Sequence, residues 1–249
     1  MNFTTAVLAV AGLLAGMMNS LAGGGSFVTF PALLLAGLDP RAANVTSAIA
    51  LLPSQAAAGW TSRGMAAGAA GLSLRTLFIE SVIGGGIGAL LLLATPVSIF
   101  THLVPWLILF STLVFIWGSF FRRQRAEDEK PPVSPRMAVA LQFVISVYGG
   151  YFGGGIGILM LAALTAVGIA VRAAGATKNA LAGVMNVAAV AIFLVESKQN
   201  WTLVLVLGIA AMIGAQAGVL ILRRVPETIL RVVVSCTGIA LTIGMFLRA

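Results

Sequence analysis

The chain has 249 residues, of which 59% are hydrophobic and only 9% are charged, and its net charge is +8 at pH 7. Soluble domains are about 45–50% apolar and about 25% charged, so this composition excludes a soluble enzyme and indicates one polytopic membrane domain. The excess of positive charge does not indicate a nucleic-acid partner, because the cations lie scattered at the ends of apolar runs.

The first half begins with an apolar run over residues 3–21, which is long enough to cross a bilayer at about 20 residues per crossing. Three glycines, Gly23, Gly24 and Gly25, follow, and Pro31 lies in the next short run. Glycine loses backbone entropy on folding and proline lacks a donor, so this stretch predicts a broken helix. No Lys or Arg precedes the first run, so we expect it to remain in the mature protein rather than act as a signal peptide. The apolar runs that follow occupy about 26–37, 43–62, 73–95 and 99–121.

The same plan returns after a hydrophilic segment at 122–136. A second glycine triplet, Gly153, Gly154 and Gly155, lies 130 positions after the first. We therefore predict an internal duplication, with a first transmembrane repeat at 1–121, a hydrophilic cytoplasmic linker at 122–136 and a second transmembrane repeat at 137–249. The apolar runs of the second repeat occupy about 137–152, 156–168, 172–196, 200–222 and 226–248.

The positions of Lys and Arg indicate the orientation of the repeats, because these residues accumulate on the cytoplasmic side. In one model, each glycine-tipped segment enters the membrane and returns to the face from which it entered, and three crossings follow it. With the N-terminus outside the cell, this model puts 12 of the 15 Lys and Arg residues on the cytoplasmic side. Eight plain crossings with both termini inside place nine of them inside. The sequence thus favours an all-α membrane protein of two inverted repeats, each a broken-helix hairpin plus three transmembrane helices, with both termini outside. A plain count gives about eight hydrophobic spans in either case.

The two glycine tips predict a cavity. Non-helical backbone at bilayer depth is tolerated only where it is buried in protein or lines a watery space. Interrupted helices in matching positions of two halves are also the best sequence signal for the binding site of a transporter.

The two halves carry paired motifs: Asn19-Ser20-Leu21-Ala22-Gly23-Gly24-Gly25-Ser26, Pro31-Ala32-Leu33-Leu34-Leu35-Ala36-Gly37, Ala43-Asn44-Val45-Thr46, Gly149-Gly150-Tyr151-Phe152-Gly153-Gly154-Gly155-Ile156-Gly157 and Ala174-Gly175-Ala176-Thr177-Lys178-Asn179. These motifs resemble those of the TauE/SafE sulfite exporter family, also called the TSUP family. The resemblance covers essentially the whole chain and implies a secondary carrier, working without ATP, in the plasma membrane, here the bacterial inner membrane. It also implies a small sulfur-containing or organic anion as substrate, such as sulfite, a sulfonate or sulfoacetate. One departure from the pairing is Gly175, where the first half carries Asn44.

Lys178 is the leading candidate for contact with an anion. It lies six positions into an apolar run, where a cation is unfavourable unless it has a partner or a function. Thr177 and Asn179 flank it and could add hydroxyl and amide donors. The alternative is an interfacial lysine whose stem lies in the apolar layer while its charge reaches water.

The glycine tips and the polar residues near them are further candidates for substrate binding. Exposed backbone N–H groups at a helix start attract anions, although the glycines could serve helix packing alone. The polar side chains could line the cavity or could form hydrogen bonds between helices. These candidates are Asn19, Gly23, Gly24, Gly25, Ser26, Thr46, Ser47, Gly153, Gly154 and Gly155.

Glu80 is a carboxylate inside an apolar run, which suggests proton coupling, a pair with Lys178, or a plain interfacial position. We expect no metal and no cofactor, since the chain has one histidine, His102, and one cysteine, Cys236. Protons or sodium could drive transport, and the protein could form a homodimer.

Three functional classes remain open at this point. The favoured one is a secondary transporter, an exporter of a small anion, that alternates access to a site at the two glycine breaks. An anion channel or a non-transporting membrane subunit is the alternative. A membrane enzyme is disfavoured, because no nucleophile–base pair or pair of carboxylates occurs at a useful spacing.

Overall fold

The structure, a computed structural model, describes residues 3–21, 24–69, 71–117, 120, 134–167, 169–196, 199–221 and 227–247. Within these ranges the chain is helical, with no strand beyond an isolated bridge between Ala69 and Leu72. The prediction of an all-α fold is therefore confirmed.

Five helices precede the central segment and five follow it, and in each set a long helix is followed by a short one and then by three long ones. The first set is α1 (Phe3–Leu21), α2 (Ser26–Leu35), α3 (Pro40–Ser62), α4 (Leu74–Ala94) and α5 (Val97–Ile116), with a 3-10 turn at Arg63–Met65. The second set is α6 (Pro135–Tyr151), α7 (Ile156–Ala166), α8 (Val171–Glu196), α9 (Trp201–Ile221) and α10 (Glu227–Phe246).

Residues 121–133, most of the predicted linker, lie outside the described residues. Helix α6 begins at Pro135, inside the predicted linker and two positions before the predicted second repeat. The division into repeats and linker stays a prediction.

Local sequence determines several helix starts. Asp39 caps α3 by accepting the backbone N–H groups of Arg41 and Ala42, both at 3.0 Å. Ser73 caps α4 and Ser134 caps α6 in the same way, through the N–H groups of the first turn. Such caps satisfy donors that a helix leaves free at its start.

The helices pack crosswise between the two sets. Helix α1 packs mainly against α9, α6 packs mainly against α4, and α3 packs against α8. Small residues allow the close approach: a methyl group on Gly16 would lie 1.9 Å from the carbonyl oxygen of Ala211, and one on Gly88 would lie 2.1 Å from that of Val147. Close contact at small residues is the usual way in which membrane helices associate.

The two crosswise contacts use different chemistry at matching positions. Between α4 and α6, Gln142 donates to Ser81 at 2.9 Å and to Ser146 at 3.2 Å, and all three residues are buried. The corresponding positions between α1 and α9 are Gly12, Ala211 and Gly16, counted by the 130-residue offset. Both contacts are closely packed, and at these positions the α4–α6 contact has hydrogen bonds where the α1–α9 contact has small residues.

Three helices within the described residues are long and apolar enough to cross a membrane, judged by length and composition: Leu74–Ala94, Val97–Val114 and Ala173–Glu196. Large apolar side chains point outward along α4 and α9, among them Ile83, Leu90, Leu205 and Ile209. Such exposed apolar faces suit a lipid environment. The expected total of about eight spans and the inverted arrangement stay predictions.

Candidate functional site

The first helix break is closed by a side chain from α1. Gly24 has φ +96°, a conformation that favours glycine, and it precedes the start of α2. The N–H of Gly25 donates to Oδ1 of Asn19 at 2.9 Å. The Nδ2 atom of Asn19 is buried, and no described residue forms a hydrogen bond with it. Asn19 thus has an unsatisfied donor beside the break and lies in the lining of the larger cavity described below.

The second break is held by side chains of α6 and α3. Gly153 and Gly155 have φ values of +73° and +71°. The hydroxyl of Tyr148 donates to the carbonyl oxygen of Gly154 at 2.9 Å, which ties the turn to α6. Asn44 on α3 donates to the carbonyl oxygen of Tyr151 at 3.0 Å, just before the turn. Each break is thus stabilised by a side-chain hydrogen bond.

Both breaks border one cavity of about 350 Å³. Its lining is mixed, with amides and hydroxyls from several helices among a larger apolar surface, and Lys178 is the one charged residue among the described lining residues. The first residues of α2 and of α7 are in the lining, so the positive ends of two helix dipoles point toward this space. The lining includes Asn19, Gly24, Ser26, Gln55, Gly153, Ile156, Lys178, Asn179 and Gln216.

Lys178 projects from the first third of α8 and is 6% exposed. No described residue forms a hydrogen bond or an ion pair with it. Lys178 lines the larger cavity without such a partner, and a cation inside a membrane protein is unfavourable unless it has a partner or a function. Asn179 follows it in the same lining, while its backbone packs against Gly59 on α3.

Thr177 lies outside the described lining and has a structural contact instead. Its side chain is fully buried, and its hydroxyl both accepts from the N–H of Ala67 at 2.9 Å and donates to the carbonyl oxygen of Ala67 at 3.1 Å. These two bonds attach the connection between α3 and α4 to α8. The sequence could not show this partner, because it lies 110 positions away.

The other candidates divide between the cavity and the helix packing. Thr46 is buried and lies outside the lining of either cavity described here. Ser47 forms a 2.6 Å hydrogen bond with Thr29 and borders a smaller cavity of about 30 Å³. Gly25, Gly154 and Gly155 belong to the turns but not to the described lining of either cavity, and Gly23 lies outside the described residues.

Glu80 lies on α4, away from the lining of both cavities. The residue is partly buried, and its Oε2 atom is buried without a hydrogen-bond partner among the described residues. The structure does not pair it with Lys178. Its predicted part in proton coupling is neither supported nor opposed by this position.

Two amide side chains, those of Gln55 and Asn186, form a hydrogen-bonded pair between α3 and α8. Asn186 on α8 donates to Oε1 of Gln55 on α3 at 2.8 Å and to the carbonyl oxygen of Ala48 at 3.2 Å. Gln55 and Asn186 are 131 positions apart, the same offset that relates Arg41 to Arg172. That offset is the sequence signal that could have identified them as a pair.

Arg41 stabilises the fold rather than the cavity. Its guanidinium donates to the carbonyl oxygens of Leu93 and Thr95 at 3.2 and 3.1 Å, at the C-terminal end of α4. A cation at this end of a helix is favourable, because it satisfies free carbonyl groups and the helix dipole.

The described part of the chain is helical, has outward apolar faces and has two broken helices around a cavity that contains a cation, which is the architecture of a membrane transporter. Comparison with known proteins identifies the family. The family model "Sulfite exporter TauE/SafE" matches residues 8–245, and the chain belongs to this family.

Relatives along most of the chain agree with this class. A "Probable membrane transporter protein" of Haemophilus influenzae is 28% identical over 96% of this chain and 93% of the relative. "Probable membrane transporter protein ORF9" of a Sinorhizobium species is 30% identical over 86% of this chain and 81% of the relative. "Probable membrane transporter protein YfcA" of Escherichia coli K12 is 27% identical over 85% of this chain and 78% of the relative.

Proposed function

We propose that the protein is a secondary transporter that exports a small sulfur-containing or organic anion, such as sulfite, a sulfonate or sulfoacetate, across the bacterial inner membrane. The observation that carries this proposal is Lys178, a buried cation without a described partner, in a cavity bordered by both helix breaks. One negative charge of such an anion would neutralise the lysine.

The neutral part of the lining suits the remaining oxygens of such an anion. The free Nδ2 of Asn19 and the amides of Gln55, Asn179 and Gln216 can donate hydrogen bonds. The described lining contains no Asp or Glu, so it offers no partner for the ammonium group of a zwitterion. We therefore expect sulfite or sulfoacetate to bind better than taurine.

The direction of the helices supports inverted repeats. Gly59 on α3 lies against Asn179 on α8, and Gly183 on α8 lies against Gln55 on α3, so these helices run antiparallel. Helices α3 and α8 are each the third helix of their set. Because they run in opposite directions, a twofold rotation that relates one to the other has its axis perpendicular to both helices. If both helices cross the bilayer, that axis lies in the membrane plane and the repeats are inverted.

The larger cavity extends to the end of α3, where Thr61, Ser62 and Met65 are in its lining. Arg63 and Arg75 flank the same connection, and the distribution of cations favours a cytoplasmic position for it. With the termini outside, the cavity faces the cytoplasm, and transport requires a second state open to the other side. Coupling to protons or sodium belongs to the same proposal.

A flux assay tests the function. The purified protein in sealed vesicles should transport sulfite or sulfoacetate with saturable kinetics, and Lys178→Gln should abolish most of the flux. Absence of saturable flux with every tested anion would exclude the transporter, and conductance far above carrier rates would indicate an anion channel.

A further inference from the structure

The smaller cavity occupies the place that corresponds to the larger cavity in the other half of the chain. The 131-residue offset relates Ser47, Gln55 and Ala58 to Lys178, Asn186 and Ala189. Lys178 and Ala58 line the larger cavity, whereas Ser47 and Ala189 line the smaller one. The two spaces are thus built from equivalent segments of the two halves.

The two cavities differ in volume, at about 350 and 30 Å³, and the sequence explains this difference. On α3 the wall of the larger cavity carries Ser54 and Ser62. The equivalent positions on α8 are Met185 and Phe193, and both side chains line the smaller cavity. Phe193 is 1% exposed, so its ring fills the space that Ser62 leaves open on the other side.

Aromatic rings complete the closure of the smaller cavity. Phe152, directly before the second glycine turn, lines it and is buried. Its ring packs edge-on against Phe30 of α2, with centroids 5.9 Å apart, and against Tyr148 of α6 at 6.3 Å. Rotation of one broken helix would move this ring, because the ring follows α6 directly and contacts α2.

The two cavities lie toward opposite ends of the α3–α8 pair. The larger one reaches the C-terminal end of α3, and the smaller one reaches Phe193, near the C-terminal end of α8. These ends point in opposite directions because the helices are antiparallel. Ser26, Gln55 and Gly153 line both cavities and therefore lie between them.

We propose that the smaller cavity is the closed form of a second vestibule, which opens to the opposite face of the membrane and admits the same small anion. Phe193 and Phe152 form its gate, and Ser26, Gln55 and Gly153 form the floor reached from both sides. The inference rests on the proposed transport function. The vestibule is lined by neutral polar side chains, Asn44, Ser47 and Asn186, and Ser47 holds the position that corresponds to Lys178 of the larger cavity.

Thiol labelling tests the vestibule. Cys236 is the one native cysteine, so Cys236→Ser gives a background for single-cysteine variants. Ala58→Cys and Ala189→Cys form a matched pair, since the two alanines are equivalent and line different cavities. A membrane-impermeant thiol reagent is applied to sealed vesicles of each sidedness. The two cysteines should react from opposite faces.

A second substitution tests the gate. Phe193→Ala removes the ring from the closed form and should raise the labelling rate of Ala189→Cys by roughly tenfold or more, while that of Ala58→Cys stays within about twofold. If Ala189→Cys does not fold, Ser47→Cys is used in its place. Ser47 lines the same cavity, and a cysteine at this position puts a sulfur atom where the native hydroxyl oxygen lies.

The outcomes are separable from the transport proposal. Labelling of both cysteines from the same face, or no labelling of Ala189→Cys and Ser47→Cys even with Phe193→Ala, overturns the second vestibule. Sulfite flux measured in the same vesicles then shows whether transport itself persists. If the native protein transports no anion in these vesicles, the proposed transport function is wrong as well.

Discussion

Lys178→Gln separates a binding role of the lysine from a structural one. The substitution keeps a long polar side chain and a donor but removes the positive charge. The native lysine is 6% exposed and its ammonium group has no partner among the described residues, so loss of the charge should not weaken the fold. Without anion, the midpoint of thermal unfolding should stay the same or rise.

The loss of anion affinity follows from the burial. A charge pair about 4 Å apart is worth about 4 kcal/mol at an effective dielectric constant near 20, the value that suits most protein sites. A glutamine amide recovers about 1 kcal/mol through a neutral hydrogen bond. The net loss of about 3 kcal/mol corresponds to roughly 100-fold weaker binding.

Two measurements on the same preparations check this prediction: the shift of the unfolding midpoint as a function of sulfite concentration, and the concentration dependence of flux. Lys178→Arg retains the charge and serves as the control, with an affinity loss clearly smaller than that of the glutamine variant. An affinity within threefold of the native protein in Lys178→Gln would refute the binding role, and a large drop in unfolding temperature without anion would indicate a structural one.

The remaining predictions concern a donor, a contact and a hydrogen bond. Asn19→Asp keeps the oxygen that accepts from the N–H of Gly25, but it replaces the unpaired amide by a negative charge. The variant should still fold, and the thermal shift that sulfite induces should be abolished. A retained shift would argue against contact between Asn19 and the anion. Gly16→Ala places a methyl group 1.9 Å from a carbonyl oxygen of α9 and should destabilise the protein by about 1–3 kcal/mol, measured by thermal unfolding. Gly64→Ala is the control and should change the stability little, because no atom lies within 4 Å of its added methyl group. Equal effects of the two substitutions would contradict the close α1–α9 packing. Thr177→Val removes both hydrogen bonds to the connection between α3 and α4, so this connection should be cleaved more readily by a protease. The affinity for sulfite should change by less than about twofold. A large loss of affinity would indicate that Thr177 takes part in anion binding.

The helix breaks are the part of the fold that the sequence predicts best. Gly24 and Gly153 adopt positive φ values, and a short helix follows each break, as the glycine triplets indicate. Such breaks depend on the local backbone, since no other residue tolerates these conformations as readily. The repeated order of apolar runs likewise matches the repeated order of helices.

Hydrogen-bond partners could not be predicted in the same way, because they depend on tertiary packing. Lys178 and Thr177 are adjacent and look equally suited to an anion, but in the structure one lines the cavity and the other binds a backbone 110 positions away. Arg41 similarly reaches the end of α4 rather than the side chain of nearby Asp39, whose carboxylate caps α3. Adjacent helical residues point about 100° apart, so one faces the cavity while its neighbour faces another helix.

The most direct measurement is an experimental structure of the protein with bound sulfite. The account predicts anion density in the larger cavity between the two glycine breaks, within hydrogen-bond distance of Nζ of Lys178 and Nδ2 of Asn19. An empty cavity at saturating sulfite, with the anion bound elsewhere or Nζ directed to the lipid headgroups, would contradict it.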